Sequence, residues 1–243
     1  MTRTDRSSGY YDSRWASEDR PGNPIRHHLV VSAALEIAQS PRCPSILEVG
    51  CGNGWILSDV AAAIGRQARL YGIEPSLVGV VNSRRRCVGA SIEQTTLEEF
   101  RPATRFDVII CSEVLEHVRD QPGFVSRLSD LLVRNGAVIL TTPNGRYRPC
   151  YFSVRHEVAQ PIEAWLTPWA LRRLLRTRFQ IERFSTFDVS FFLHQYPFFG
   201  GLRYRTRSWP AFHRAWTWID WALEHKFRAG LYSFVVARRL CCD

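Results

Sequence analysis

The run Ser45-Ile-Leu-Glu-Val-Gly-Cys-Gly-Asn-Gly-Trp55 constrains this chain more than any other stretch. Residues of strand character lead into glycines at 50, 52 and 54, and a helical pattern begins at Trp55. Glycines at such a bend let the backbone turn sharply and approach a ligand closely. The helix behind them offers unpaired N–H groups. A strand, a glycine turn and a helix in that order open a βαβ unit, and nucleotide-like ligands bind there, at the carboxyl end of the strand.

The chain goes on in the same alternation. Short apolar runs at 45–49, 69–73, 88–92, 106–111 and 136–141 are separated by helical patterns at 55–64, 76–86 and 122–134, and a further helix is expected over 25–40. Strands alternating with helices imply a mostly parallel sheet covered on both faces. Thr167 before Pro168 marks the start of a helix over 167–177, because proline suits the first helical turn. Two more β-like runs, 179–189 and 231–239, complete seven strands, with an aromatic-rich insertion between them. Residues 1–24 are polar and read as a flexible arm, with Tyr10, Tyr11 and Trp15 available to dock on the body. The expected organisation is that arm followed by one domain over 25–243, with the insertion at about 190–229.

Composition excludes several classes. At 45% apolar and 23% charged residues the chain is neither disordered nor fibrous. No apolar run reaches the roughly 18 residues of a membrane-spanning helix, and the N-terminus lacks the apolar centre of a secretory signal. A cytoplasmic protein is expected. Seven scattered cysteines without a Cys-x-x-Cys pair suggest reduced packing thiols. A net charge of +9 points toward anionic partners, but the basic residues stand in small groups, and Lys226 is the one lysine.

Spacing narrows the ligand. The dinucleotide fingerprint G-x-G-x-x-G requires a small residue where Trp55 stands, which disfavours a nicotinamide-dependent oxidoreductase. The pattern is Glu48-x-Gly-x-Gly-x-Gly, and Glu74 ends the next strand 22 residues after Gly52, where a carboxylate can accept both hydroxyls of a ribose. Together these resemble the first motifs of the class I S-adenosylmethionine (SAM) methyltransferases. Phe106–Val118 and Leu131–Asn144 resemble the same family's later motifs, and the EVLEH and TTPN segments are similar to those of ubiquinone-biosynthesis O-methyltransferases and their small-molecule relatives. The implied fold is α/β and Rossmann-like, a mostly parallel seven-stranded sheet with helices on both faces and the aromatic insertion before the last strand.

The resemblance also implies roles. Glu48, Gly50, Cys51, Gly52 and Gly54 would hold the methionine part of SAM and Glu74 the ribose. Ser91 and Ile92 would border the adenine, although relatives often place an acid there, and Glu93 or the backbone would have to substitute. Cys111, Ser112 and Glu113 would lie beside the transferable methyl. Glu113 and His117 are the catalytic candidates. His117 has two readings, a base for a hydroxyl acceptor or a structural histidine holding the loop. Glu113, Glu116, His117 and His156 resemble the metal set of small-RNA 2′-O-methyltransferases, but no metal is the expectation.

Acceptor chemistry is expected from the aromatic segments. Tyr147, Tyr151, Phe152, His156 and Trp165 follow the fifth strand. In the insertion Phe212, Trp216, Ile219, Leu223 and Phe227 form a helical stripe expected to dock on the body, with Trp218 and Trp221 on the polar side as a lid, a dimer contact or a membrane face. The expected reaction is methyl transfer to oxygen of a small aromatic, quinone-like or lipid-like acceptor. Nitrogen and carbon acceptors, an RNA 2′-O-methyltransferase and a catalytically silent SAM-fold partner stay open, as does oligomeric state.

Overall fold

The computed structural model describes residues 3–17, 22–39, 43–149, 151, 160–189, 197–206 and 209–240. Helices α1 (Arg3–Ser17) and α2 (Pro24–Ile37) precede β1 (Ser45–Val49). There follow α3 (Trp55–Ile64), β2 (Arg69–Ile73), α4 (Leu77–Arg86), β3 (Ser91–Glu93), β4 (Phe106–Ser112), α5 (Gln121–Leu131) and β5 (Leu132–Pro143). The remainder is α6 (Pro168–Leu175), β6 (Phe179–Phe187), α7 (Pro197–Thr206), α8 (Pro210–His225) and β7 (Tyr232–Arg239).

The sheet order is β3-β2-β1-β4-β5-β7-β6, with β7 antiparallel between β5 and β6. Central β1 is buried at every position, as a parallel strand covered on both faces must be. Leu47, Phe106, Ile109 and Leu128 anchor one apolar layer, and Ile46, Leu57, Ile110 and Ile139 anchor the other. Each such buried aliphatic or aromatic side chain contributes about 1.5–3 kcal/mol relative to exposure.

Local signals set the helix starts. Asn23 caps α2 by accepting from the N–H groups of Ile25 and Arg26, with Pro24 in the first turn. Ser76, Asp120 and Thr167 cap α4, α5 and α6 in the same way. α3 has no side-chain cap, since Gly54 stands at its N-cap in the left-handed region. Instead, Glu48 on the adjoining strand accepts from the N–H of Leu57 at 3.0 Å.

Three features depart from expectation. Residues 3–17 form a helix rather than a loose arm, and it packs on α4. The reason is long-range: Asp12 Oδ1 accepts from the Ser76 hydroxyl, while the Asn53 and Asn82 side-chain amides donate to the carbonyl of Trp15. The stripe on α8 is buried only at its centre. Trp216 is buried and donates to the Thr206 hydroxyl, whereas Phe212 and Phe227 at its ends are exposed. Finally, β3 begins at Ser91, because residues 87–90 form a turn closed by the Ala90 N–H on the Cys87 carbonyl.

Candidate active site

Register brings three loops together. β1 pairs in parallel with β2 and β4, so that Val49 lies beside both Ile73 and Cys111. The loops after these strands therefore meet at one edge, where the chain's order along the sheet reverses. Gly50 has φ +67°, and a Cβ there would meet Val114 Cγ2 at 2.6 Å. Only glycine fits both the conformation and the space.

A cavity of about 890 Å³ opens at this edge. Its lining includes Gly50 and Glu74, Glu113, Val114 and His117, and Tyr11 and Trp15 of α1. Glu74 is buried and accepts from the N–H groups of Gly52 and Ser76, each at 3.0 Å, and from the indole of Trp15 at 3.3 Å. Burial raises its pKa, and those donors oppose the rise.

Several residues singled out from the sequence do not line this cavity themselves. Glu48 lies beneath the loop rather than in the cavity lining. Burial pushes its carboxyl up to about 8, against the pull of the Leu57 N–H. Cys51 and Cys111 are core residues whose thiols are raised by burial. The Gly52 N–H faces Glu74, and Gly54 starts α3. Ser91 is exposed and Ile92 buried in the core, so the wall beyond β3 is made by Gln94, Thr95 and Thr96 instead. Ser112 pairs with the Thr141 hydroxyl at 2.9 Å.

Glu113 does reach the cavity, with φ +57°. Its carboxylate accepts from the Thr141 hydroxyl at 3.0 Å and stands 3.5 Å from Arg26 of α2. Burial raises its pKa, and Arg26 opposes that. Glu116 is buried behind it, accepts from the Thr142 hydroxyl at 2.9 Å, and is raised well above the carboxylate range by burial and by the Glu113 charge.

His117 Nδ1 lies 2.9 Å from the Ile162 carbonyl. A carbonyl only accepts, so Nδ1 carries the proton. Burial lowers the ring's pKa. In its neutral form that ring carries a lone pair on Nε2, and among the described residues a carboxylate oxygen of Glu116 stands 3.7 Å from it.

Sequence reasoning did not assign site roles to Trp15, Tyr11, Arg26 and Ile162. The one local signal was the four-residue spacing of Tyr11 and Trp15, which share a helical face. The aromatic residues after β5 build something else. Tyr147 donates to the Ala229 carbonyl at 2.7 Å, and Tyr151 packs edge-on against Trp165, so these residues secure the segment rather than line the cavity. Phe152 and His156 lie outside the described residues. Among the described residues, no group of three or more His, Cys, Asp or Glu side chains is placed to hold a metal ion.

A family profile described as a methyltransferase domain matches residues 23–195. The chain belongs to this methyltransferase family. Curated relatives include the ubiquinone biosynthesis O-methyltransferases of Rhodopseudomonas palustris (strain BisB5), 30% identical over 155 residues covering 59% of each chain, and of Xanthomonas axonopodis pv. citri (strain 306), 33% identical over 145 residues covering 54% of this chain and 57% of the relative. The match thus spans under two thirds of those relatives. Among solved structures, the N-methyltransferase NodS of Bradyrhizobium japonicum WM9 in complex with S-adenosyl-L-homocysteine (SAH) has TM-score 0.62 at 14% identity, over 96% of this chain and 98% of that one. The magnesium protoporphyrin IX methyltransferase of Synechocystis PCC 6803 with bound SAM has TM-score 0.61 at 16% identity, over 99% and 98%. A [4+2]-cyclase, SpnF, matches equally well at TM-score 0.62, 14% identity and 98% and 97% coverage, so the shared architecture does not by itself fix the chemistry of this methyltransferase-family chain.

Proposed function

We propose that the chain is a SAM-dependent methyltransferase that acts on a hydroxyl oxygen of a small aromatic, quinone-like or lipid-like acceptor. The observation that carries this is one cavity lined both by the buried Glu74 carboxylate beside the glycine turn and by His117, whose Nδ1 is held by the Ile162 carbonyl.

The residues fit the donor. Glu74 would accept from the ribose hydroxyls, the turn at Gly50 leaves room for close backbone approach, and Gln94, Thr95 and Thr96 would flank the base. Glu113 would place a carboxylate near the positive sulfonium, which weakens as the charge is lost in transfer. SAM, when bound, supplies an electrophilic methyl on a sulfur that leaves with the bonding electrons.

The chain's own contribution is alignment and proton removal. The acceptor's hydroxyl proton passes to His117 Nε2 as its oxygen attacks. The Ile162 carbonyl holds the Nδ1–H and so fixes both tautomer and ring direction. The curated relatives named as ubiquinone biosynthesis O-methyltransferases support transfer to oxygen. The test is a panel of catechols, phenols and amines with methyl-labelled SAM, using metal-chelated protein. Label in a methyl ether is the expected result; label confined to amines, or none in any hydroxyl compound, would overturn the reading.

A further inference from the structure

Away from the catalytic cavity, a second cavity of about 410 Å³ is walled by Arg146, Arg172, Arg228, Trp169 and Phe227. The Arg172 and Arg228 guanidiniums lie 4.9 and 5.2 Å from the centre of the same Phe184 ring. Arg146 donates to the Phe227 carbonyl at 3.3 Å. Among the described residues none of these arginines is ion-paired with a carboxylate. Three arginine side chains thus border one space. Burial and the Arg172 charge both depress the ionisation of Arg228.

The rim of this cavity is aromatic and wet. Trp169 is 70% exposed and Phe227 65%. More exposed rings stand on α8, which ends two residues before Phe227. Lys226 lies 6.0 Å over the Trp221 ring, His225 stacks on the same ring at 5.5 Å, and Trp218, one turn back, is 66% exposed. Single exposed apolar residues are ordinary, but four exposed large rings on the cavity rim and the neighbouring helix, with cations beside them, are not.

Charge chooses the occupant. A protein partner would suit the rings, but it would have to bring an anion to the arginine cavity. An anionic phospholipid surface supplies both needs, phosphate for the guanidiniums and an interfacial layer for tryptophan. We propose that this face docks on an anionic bilayer, with the lipid phosphate in the arginine cavity and the rings of Trp169, Trp218, Trp221 and Phe227 in the headgroup region. The net charge of +9 works in the same direction.

Position links the face to catalysis. Arg146 follows β5 and Arg228 precedes β7, at the end where Pro143 pairs with Tyr232. The segment that supplies Ile162 to the catalytic cavity runs on to Thr167 and Pro168 of the second one. An acceptor dissolved in lipid would thus arrive beside the cavity that uses it. This link rests on the proposed lipid-like acceptor, whereas docking itself does not.

The test is sedimentation of the full chain with vesicles of phosphatidylcholine alone or mixed with phosphatidylglycerol. The expected result is binding to the mixed vesicles alone, weakening as salt rises, together with an unchanged affinity for SAH by calorimetry. Arg146→Gln with Arg172→Gln should reduce the partition about tenfold or more. Trp218→Ser with Trp221→Ser should reduce it comparably. Equal binding to both vesicle types, or none to either, overturns the proposal. So does binding of glycerol phosphate in solution without vesicle binding, which would make the cavity a site for a soluble phosphate ester. Loss of self-association in the tryptophan variant without vesicle binding would instead make this face a contact between copies. Failure of SAH to bind while vesicles are bound would count against the proposed donor and leave docking standing.

Discussion

The indole N–H of Trp15 donates to Oε1 of Glu74 across 3.3 Å, so a side chain of the first helix engages the carboxylate expected to grip the donor's ribose. The ring also covers the glycine turn: a Cβ on Gly52 would lie 2.8 Å from it. Ribose hydroxyls bound at Glu74 would compete with the indole for that oxygen. Trp15→Phe keeps a ring over the turn and removes the competing donor. Its affinity for SAH should rise several-fold, about 1 kcal/mol, which is the net worth of one such hydrogen bond. Isothermal calorimetry on both proteins reads this directly, and a weaker affinity would mean that the indole stays in place in the complex.

His117 offers a test of proton removal. His117→Asn should lower kcat with a hydroxyl acceptor by about 10²–10⁴-fold while SAH affinity is unchanged. The acid limb of the wild-type rate profile should lie below the ordinary histidine value of 6.5, because burial favours the neutral ring. A rate that survives the substitution would return His117 to the role of loop anchor, for which its bond to Ile162 is sufficient.

How far the site was legible follows from the range of the interactions that build it. Gly50, Glu74 and Glu113 directly follow strand ends set by local periodicity and His117 closes the short turn after β4, so the sequence places them without any tertiary information. The first helix is different. Its segment RTDRSSGYYDSRWAS is too polar to announce itself, and its docking depends on Asp12 and Trp15 meeting Ser76 and Glu74 across about sixty residues of chain. The cavity wall beyond β3 is formed by Gln94, Thr95 and Thr96, two or three residues past the Ser91 and Ile92 that local pattern singles out, because the turn over 87–90 delays β3. On α8 the wheel gave the right face but could not show where the body ends. Among the described residues of the stripe, Trp216 is the one that is buried, while Phe212 packs on Trp209 and stays exposed.

Glu48 ties stability to pH. Its carboxyl is raised from 4.5 to about 8 by burial, so the folded chain keeps a proton that the unfolded chain gives up. The stability associated with this proton is complete below pH 4.5 and is lost as pH climbs toward 8. Burial moves Glu74 and Glu116 in the same direction. Glu48→Gln retains an oxygen for the Leu57 N–H and removes the ionisation. Thermal melts from about pH 5 to about pH 8 should show a Tm decline several degrees smaller in the variant than in the wild type. Parallel curves would show that Glu48 is already ionised in the folded protein.

Gly50 and Val114 form a pair whose energetics separate into two parts. At Gly50 a methyl group would be strained by φ +67° and would strike Val114 Cγ2 at 2.6 Å. The backbone part costs about 1–2 kcal/mol for an L residue in the left-handed region. The steric part adds about 1–3 kcal/mol, as overpacking of a close-packed site does. Gly50→Ala alone should therefore destabilise the protein by their sum and weaken SAH binding, since Gly50 and Val114 line the same cavity. Val114→Ala removes the obstructing methyl groups and leaves the torsion untouched. In the double variant the steric part should be recovered and the torsional part retained, giving a favourable coupling of about 1–3 kcal/mol in a denaturation cycle. Additive effects would mean that the turn moves away from Val114 when it is crowded, and that the donor site owes its shape to glycine's torsion alone.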